Sequence, residues 1–507
     1  MSGQTKSRGK ILYHWPNGGC VESLRFTGAE QLRPGAYDVV IIGAGVVGCA
    51  LAFRLSQFQL RILLIDKNYD VGEGTSKGNS AILHTGFDAS PGTLESQLVT
   101  QASREWPGWV EKLKIPFEQT GAVLIAIDDE QQRSLRDIHK KSLANGVDDV
   151  EELSASEVRT LEPNATKEVR GGLLVPRESI ADPFTTSVAF AEVALTNGVD
   201  ILLGVSITGV EDTAGPLKKL VTQNGDRIST RFLINAAGLG GRALTDCYGG
   251  TPFDINPRRG QFLIFDPYCR NMVERIFLPV PTPQTKGVLV IPTIFGNLLA
   301  GPTAEDLPLD SQEATSTTLD GLQAVLSGAS RLFPGIAGQP AIGAYSGARC
   351  NCAQGSYQIR YNDGGNGIVT VAGIRSTGFS ASLALADYLI DGLNSRCGLA
   401  LERDTLAIDE RAENCWPGWW RQSSGLNRPN DRRMVCYCQE VTCGDIVDTL
   451  NSPLRPHTLD AIKRRTRAQM GRCQGFHCQI RLAEIISEQC EIPLNRVTKR
   501  GPGSELV

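Results

Sequence analysis

The sequence predicts an α/β protein organised on a Rossmann-like dinucleotide-binding unit and ending in a small helical, cysteine-bearing module. Three observations carry this. Residues 37–66 (YDVVIIGAGVVGCALAFRLSQFQLRILLID) read strand, glycine turn, helix, strand, acid. Two later segments, RFLINAAGLGGRAL and GNGIVTVAGIRSTGFSASLALADYLIDGL, repeat the pattern of strand, small-residue turn and helix. Six of the 14 cysteines fall after residue 435, too tight a cluster for scattered core residues.

In the first unit, Tyr37 and Val39 to Ile42 form a short buried strand. Gly43, Gly45 and Gly48 follow in G-x-G-x-x-G spacing, with Val46 and Val47 opening the helix. Ala50, Leu51, Phe53 and Leu55 recur at helical spacing, and Arg61 to Ile65 form a second strand ending at Asp66 and Lys67. The first glycine permits the tight turn, the second lets the backbone approach a pyrophosphate, and the third lets helix pack on strand. The helix N-terminus turns its unpaired N–H groups to the phosphates. Asp66, 18 residues after Gly48, is placed to bond a ribose hydroxyl. A glycine triplet alone is weak. With strand, helix and acid in place, the dinucleotide cradle outweighs an ordinary βαβ turn.

Length and composition set bounds. A chain of 507 residues, 41% apolar and 21% charged, has the makeup of a soluble globular protein of three or four domains. A net charge of −4 argues against general nucleic-acid binding. No apolar run approaches the ~20 residues that span a bilayer. The first residues, MSGQTKSRGKILYHWPNGG, lack the apolar core of a secretory signal. Fourteen cysteines without such a signal point to a reducing, cytoplasmic setting, where cysteines serve as ligands or buried apolar groups.

Residues 1–36 form an extension, either a flexible tail or a strand added elsewhere. After Asp66, the stretch VGEGTSKGNSAILHTGFDASPGTLES is an irregular polar loop whose N–H groups and hydroxyls suit a ligand lying across it. Helices are expected at 97–113, 129–145 and 154–161, and a strand at Ala122 to Ile127. DPFTTSVAFAEVALTN, with Asp182 as cap and Pro183 at the first helical position, predicts a helix over 182–197. Residues 252–340 are strand-rich, with a helix near 317–332. The segment 396–432, with Trp416, Trp419 and Trp420, reads as a linker.

The run D-K-x(6)-G-T-S-K-G-N-S-A-I-L-H-T-G, from Asp66 to Gly86, resembles the flavin-contacting segment of the FAD-dependent D-amino-acid-oxidase superfamily. It is most similar to the branch with anaerobic glycerol-3-phosphate dehydrogenase and L-2-hydroxyglutarate oxidases. The resemblance extends over about 37–395. It implies a Rossmann-like FAD-binding domain with an inserted antiparallel substrate-binding sheet, of the D-amino-acid-oxidase/glutathione-reductase-2 type. The FAD-binding parts would be about 37–95, 150–250 and 340–395, and the substrate-binding part about 96–149 and 251–339. Gly74, Thr75, Ser76, Asn79 and Ser80 would run along the flavin, and the backbone at Val205 would meet the adenine. The turn at Ala237 and Gly238 would lie against the cofactor. Gly373, Ile374, Gly378, Phe379 and Ser380 would close the flavin site, with a helix N-terminus toward the pyrimidine.

The C-terminal module, 433–490 before a tail at 491–507, carries Cys436-x-Cys438 and Cys473-x4-Cys478, separated by two short helical patterns. Four thiolates hold zinc or a [2Fe–2S] cluster, and spacing alone does not decide. The pattern C-x-C…T-R-A…G-R-C-Q-G-x-x-C resembles the bacterioferritin-associated ferredoxin-like domain, which implies [2Fe–2S]. Cys443 and Cys490 fall outside it and read as buried apolar residues, and Cys350-x-Cys352 as structural. Lys463, Arg464, Arg465, Arg467 and Arg472 could offset the cluster's charge or dock an acidic partner. For most of them a solvated helix face is expected.

Alcohol oxidation by a flavin needs a base for the hydroxyl proton. Of five histidines, His84 alone lies in a segment expected to face the flavin, as base or flavin-orienting residue. An anionic substrate needs a fixed cation. The resemblance gives that role to Arg349, and Arg375, standing where the family usually has an acid, would be a second anion contact. Arg258 and Arg259 are weaker candidates. The expected function is FAD-dependent oxidation of glycerol 3-phosphate or a related polyol phosphate. Electrons would pass through the [2Fe–2S] cluster to a redox partner subunit or a quinone-linked acceptor. A 2-hydroxy acid such as L-2-hydroxyglutarate comes second and an amine or imino acid third. A redox-relay subunit without its own substrate is the reading from another class. Peripheral association with the inner membrane face through a partner, and oligomerisation, are left open.

Overall fold

The computed structural model describes residues 8–16, 22–282, 286–308, 311, 315–352, 355, 357–412, 415–420 and 431–506. At its centre six strands pair in parallel: Ile11–Tyr13, Asp200–Leu203, Ile62–Asp66, Tyr37–Ile42, Arg227–Asn235 and Ile368–Ala372, in that spatial order. Four of them are buried along nearly their whole length, as a parallel sheet covered on both faces requires. The strand Arg227–Asn235 does double duty. Its C-terminal half pairs in parallel with Tyr37–Ile42, while its N-terminal half joins an antiparallel meander with Lys218–Thr222 and Ile207–Glu211.

Helices Val46–Leu55, Pro183–Thr196 and Gly378–Cys397 pack together on one face of this sheet. Their contact is apolar on all sides, with Ala50, Phe53, Phe190, Ala194, Leu385 and Leu389 in one core. Asp182 caps the second of these helices by accepting from the N–H groups of Phe184 and Thr185.

The second large sheet is mostly antiparallel and runs 305–306, 255–265, 298–301, 289–292, 276–279, 122–126, 171–175 and 151–154. Strand Ala341–Cys352 pairs along the whole of Ile255–Phe265. Strands 151–154, 171–175 and 341–352 therefore lie in this sheet rather than in the cofactor-binding part to which the sequence reading gave 150–250 and 340–395. Local pattern reveals a strand but not its partner, because pairing is decided by distant residues. Helix Leu319–Leu332 covers the outer face of this sheet, through Val325 and Ala329.

Among the described residues of the extension before residue 37, Ile11–Tyr13 form a strand added at the edge of the parallel sheet. The C-terminal module has a short hairpin, Met434–Cys436 with Val441–Thr442, and helices Cys443–Leu450, Leu459–Thr466 and Gln479–Cys490 around its own core of Val435, Ile446, Ile462, Leu482 and Ile486. It is docked, not tethered. Arg464 reaches Asp70 at 2.5 Å and Glu73 at 2.7 Å, Arg465 holds both Asp70 oxygens at 2.7 Å, and Arg472 pairs with Asp266. Arg464 and Arg465 are thus buried ion-pair partners and not a solvated face. Their carboxylates lie almost 400 residues away in the chain, beyond the reach of helical periodicity. Tyr13 closes the same seam, donating its hydroxyl to the Leu454 carbonyl at 2.6 Å, while Trp15 packs between Tyr69 and His457. The linker residues Trp419 and Trp420 pack on the core that contains Phe262 and Tyr345. Among the described residues no helix is long and apolar enough to cross a membrane.

Candidate active site and cysteine centre

The glycine turn is shaped by contacts that tolerate no side chain. At Gly43, φ is +110°, and a Cβ there would stand 2.4 Å from the carbonyl oxygen of Ala236 in the neighbouring turn. A Cβ on Gly48 would stand 1.8 Å from the Gly43 carbonyl oxygen. Helix Val46–Leu55 starts immediately after Gly45. The Val46 N–H at its open end donates to the Ser76 hydroxyl at 2.9 Å, so the flavin loop reaches the position that a phosphate oxygen occupies in such cradles. Gly74 faces open space. This combination of open helix end, bare backbone and facing hydroxyl fits a dinucleotide.

Asp66 is already engaged, accepting from the Ala44 N–H at 2.7 Å and from the backbone and side chain of Asn68; burial raises its pKa. Lys67 follows it. The Val205 N–H donates to the Asp66 carbonyl at 3.0 Å, which leaves the Val205 carbonyl for the backbone contact to adenine that the resemblance implies. The strands at 62–66 and 200–203 end side by side and consume that N–H. Asn79 shapes the loop, bonding the Ser76 carbonyl and the Ala81 N–H, and Thr75 ties the loop to Ala348 of the second sheet. Ser80 lies between these contacts, half-buried. Ala237 and Gly238 form the turn beneath Gly43, with the Ala237 N–H on the Asn235 side chain. The last segment supplies Gly373 at φ +64°, Ile374, and the helix start at Gly378, Phe379 and Ser380. The first helical bond here is made by the Ala381 N–H, so the preceding donors face outward from the helix end.

His84 lies beside this end. Its backbone N–H donates to the Ser380 hydroxyl, and its Nδ1 is 3.0 Å from Glu178. Glu178 is fully buried, and its other oxygen accepts from the N–H and hydroxyl of Thr85. A carboxylate fixed in this way orients the ring and leaves Nε2 to face a reactant. Glu178 lies 94 residues from His84, and nothing in its local sequence marks it. Around the pair are further charges. Lys286 bonds Asp88 at 2.7 Å with about half of its side-chain surface exposed. Burial pushes the Asp88 carboxyl up, but the Lys286 ammonium outweighs it and holds the group below its usual range. Arg375 pairs with Glu95, which also accepts from Thr377 at 2.6 Å. Lys286, Asp88, Glu95 and Glu178 were not singled out from the sequence.

The structure links His84 and Arg375 through a group of charges that includes Asp88, Lys286 and Glu95, and places Arg349 in the second sheet. Tyr345, Gly347 and Arg349 alternate onto the same face of their strand. Tyr345 donates to the Asn79 carbonyl, and Gly347 touches Gly78 of the flavin loop. Arg349 bonds the Thr303 carbonyl at 2.7 Å and makes no ion pair among the described residues. Burial holds its pKa down to about 10, with Arg258 alongside adding to the effect. Arg258 and Arg259 are spent on Asp306 and Glu305.

The four cysteines converge in two pairs, Cys436 with Cys478 and Cys438 with Cys473. The first pair is buried at 1% exposure; Cys438 is exposed and Cys473 half-buried. Backbone N–H groups of Cys438, Gln439 and Gln469 point at the Cys436 sulfur, and those of Gly475 and His477 at Cys473. Gln469 at φ +72° and Gly475 at φ +92° aim these donors. The Cys478 hydrogen bond and the ring of N–H donors hold the Cys436 thiol below its usual range. Thiolates in a nest of amides, paired two and two, suit a binuclear iron–sulfur centre. Cys443 is a buried helix-start residue outside this group, and Cys490 packs at the edge of the module core.

The sequence profile of the FAD dependent oxidoreductase (DAO) family matches residues 38–391, and that of the BFD-like [2Fe-2S] binding domain matches residues 434–488. A protein of Caloramator mitchellensis named glycerol 3-phosphate dehydrogenase is 33% identical over 93% of this chain and 98% of its own length. A mitochondrial L-2-hydroxyglutarate dehydrogenase of Caenorhabditis elegans is 30% identical over 53% of this chain and 63% of its own. The solved structure of L-alpha-glycerophosphate oxidase from Mycoplasma pneumoniae with FAD bound superposes with a TM-score of 0.70 at 26% identity, covering 74% of this chain and 98% of that one. The cofactors of the chain are FAD and a [2Fe–2S] cluster.

Proposed function

This chain belongs to the FAD dependent oxidoreductase family, and we propose that within it the chain is a dehydrogenase of sn-glycerol 3-phosphate that delivers electrons through its C-terminal cluster to a partner or quinone-linked acceptor. One observation carries the reading. The relative named a dehydrogenase aligns through the C-terminal module, whereas the oxidase structure is used up at 74% of this chain. A chain with its own electron exit has no need of oxygen as acceptor.

When bound, the flavin supplies two-electron oxidation at carbon and the cluster supplies one-electron transfer. The glycine cradle at 43–48, the loop at 74–80 and the helix end at 378–380 hold FAD. Cys436, Cys438, Cys473 and Cys478 hold the cluster. His84, fixed through Nδ1 by Glu178, takes the hydroxyl proton at Nε2 while the carbon-bound hydrogen leaves with its electron pair. Lys286, beside Asp88 and His84, holds the anionic end of the substrate, in place of Arg349, which is bonded to the Thr303 carbonyl. Arg375, its charge matched by Glu95, positions the turn above the flavin site.

Anaerobic mixing with sn-glycerol 3-phosphate is expected to bleach the flavin, and His84→Asn to slow that bleaching by about 10²- to 10⁴-fold with FAD still bound. Bleaching by L-2-hydroxyglutarate or an amine and not by glycerol 3-phosphate would overturn the substrate. Bleaching by none of them would leave only the relay reading.

A further inference from the structure

Four arginines of the C-terminal module face the flavin domain. Three meet carboxylates: Arg464 and Arg465 on Asp70 and Glu73, and Arg472 on Asp266. Arg467 does not. Its Nε donates to the Gln439 side-chain oxygen at 2.8 Å, and its Nη2 donates to the Asn297 side-chain oxygen at 3.3 Å. Its guanidinium lies 4.2 Å from the ring centre of Phe295 and 5.8 Å from that of Trp419. It is 6% exposed, and no carboxylate among the described residues comes within ion-pairing distance.

Two negative groups act on it across space: Asp182, whose oxygens are spent on capping its helix, and Cys436, a cluster ligand. Burial holds its pKa down to about 10, far above any working pH, so the charge persists. The backbone is also unusual, since Arg467 adopts φ +68° and Gln469 φ +72°. Two left-handed non-glycine residues in one short turn are retained only where the surroundings fix them.

We propose that Arg467 is the charge that sets the reduction potential of the cluster, raising it so that the inner, Cys436/Cys478 side accepts electrons from the flavin domain. A cluster gains one negative charge on reduction. A buried cation near a ligating sulfur, in direct ion pair with no carboxylate among the described residues, therefore favours the reduced form. Position supports the direction of transfer. Arg467 packs on Phe295, Phe295 stacks on Phe184 at 6.1 Å, and Phe184 lies six residues beyond Glu178, which holds His84. The opposite pair, Cys438 and Cys473, faces solvent beside Tyr437 and Phe476, exposed at 67% and 94%. Electrons enter at the buried pair and leave at the exposed one. The proposal rests on the cluster alone and is independent of which alcohol is oxidised.

The test is a potentiometric titration of the cluster in the full-length holoenzyme, followed by electron paramagnetic resonance and poised with chemical mediators, so that no substrate is needed. Arg467→Gln is expected to keep its iron and sulfide and its oxidised spectrum. Its equilibrium constant for taking up an electron should fall about tenfold, which is ~59 mV for a one-electron couple. Arg467→Lys should recover most of the loss. Gln439→Glu, which sets a carboxylate on the intact arginine, should also lower the potential and serves if Arg467→Gln fails to assemble its cluster. An unchanged potential in a fully loaded Arg467→Gln or in Gln439→Glu overturns the proposal, as does an equal fall in the Lys and Gln variants, which would make the effect one of packing.

Discussion

At His84 the role turns on a single contact, the 3.0 Å approach of Nδ1 to Glu178. Glu178→Gln keeps the shape but removes the anion that fixes the ring, and is expected to lower the rate of flavin bleaching by about tenfold to 10²-fold without loss of FAD. A rate equal to the parent's would remove Glu178 from the mechanism. His457 illustrates the same physics without chemistry. It is buried against Tyr13 and Trp15, with Nδ1 on the Arg455 carbonyl and Nε2 without a partner among the described residues, and burial pushes its pKa down to about 4. The unfolded imidazole titrates near ~6.5. Between those values the unfolded chain binds a proton that the folded chain refuses. Stability is therefore complete above about pH 6.5 and declines toward pH 4, by up to ~1.4 kcal/mol per pH unit from this group. Comparing urea midpoints at about pH 7 and about pH 5 should show a shallower decline in His457→Gln than in the parent.

Among the elements, the glycine turn makes the sharpest demand. Gly43→Ala must adopt φ +110° and place a methyl 2.4 Å from the Ala236 carbonyl oxygen, so the strand end and the next turn have to separate. The expected outcome is a chain purified with little flavin, read from absorbance per polypeptide. Gly92→Ala, at φ +77° with nothing within 4 Å, carries only the backbone strain of about 1–2 kcal/mol and should keep its flavin. Full flavin occupancy in Gly43→Ala would show that the turn tolerates a side chain. The helix Pro183–Thr196 and its Asp182 cap, and the paired helices 443–450 and 459–466, were legible from local signals alone, because capping and 3.6-residue periodicity are written within a dozen residues. Strand Ala341–Cys352 was legible as a strand but not as part of the second sheet.

On the scale of the whole molecule, Asp70 joins the two cofactor-bearing parts. It follows Asp66 by four residues and takes both Arg464 and Arg465. Burial disfavours its charge, but the two guanidinium groups win and hold it well below the usual carboxylate range. Its contribution is complete above the unfolded pKa of ~3.9 and is lost as pH falls below that, so the docking should survive moderate acid. Asp70→Asn leaves Arg464 with Glu73 alone and Arg465 without its carboxylate, a loss of about 3–5 kcal/mol by the cost of breaking a buried pair. Flavin-to-cluster electron transfer should slow while substrate still bleaches the flavin, and stopped-flow absorbance at the two cofactors separates these steps. Unaltered transfer would mean that the docked seam is not the electron route. What the sequence determined by itself was local: the glycine cradle, the acid after the second strand, the N-S-x-x-x-H run and the four cysteines, each a requirement of backbone or ligand chemistry confined to short segments. Only the tertiary structure decided that Glu178 holds His84, that Lys286 joins their group of charges while Arg349 lies in the second sheet, that Arg464 and Arg465 are buried on Asp70 and Glu73, and that Arg467 alone among the four facing the flavin domain has no carboxylate in ion-pairing distance among the described residues. The physical reason is range. Propensity and capping act over a few residues, whereas ion pairs, cavity walls and strand partners are set by which distant residues the packed fold brings together.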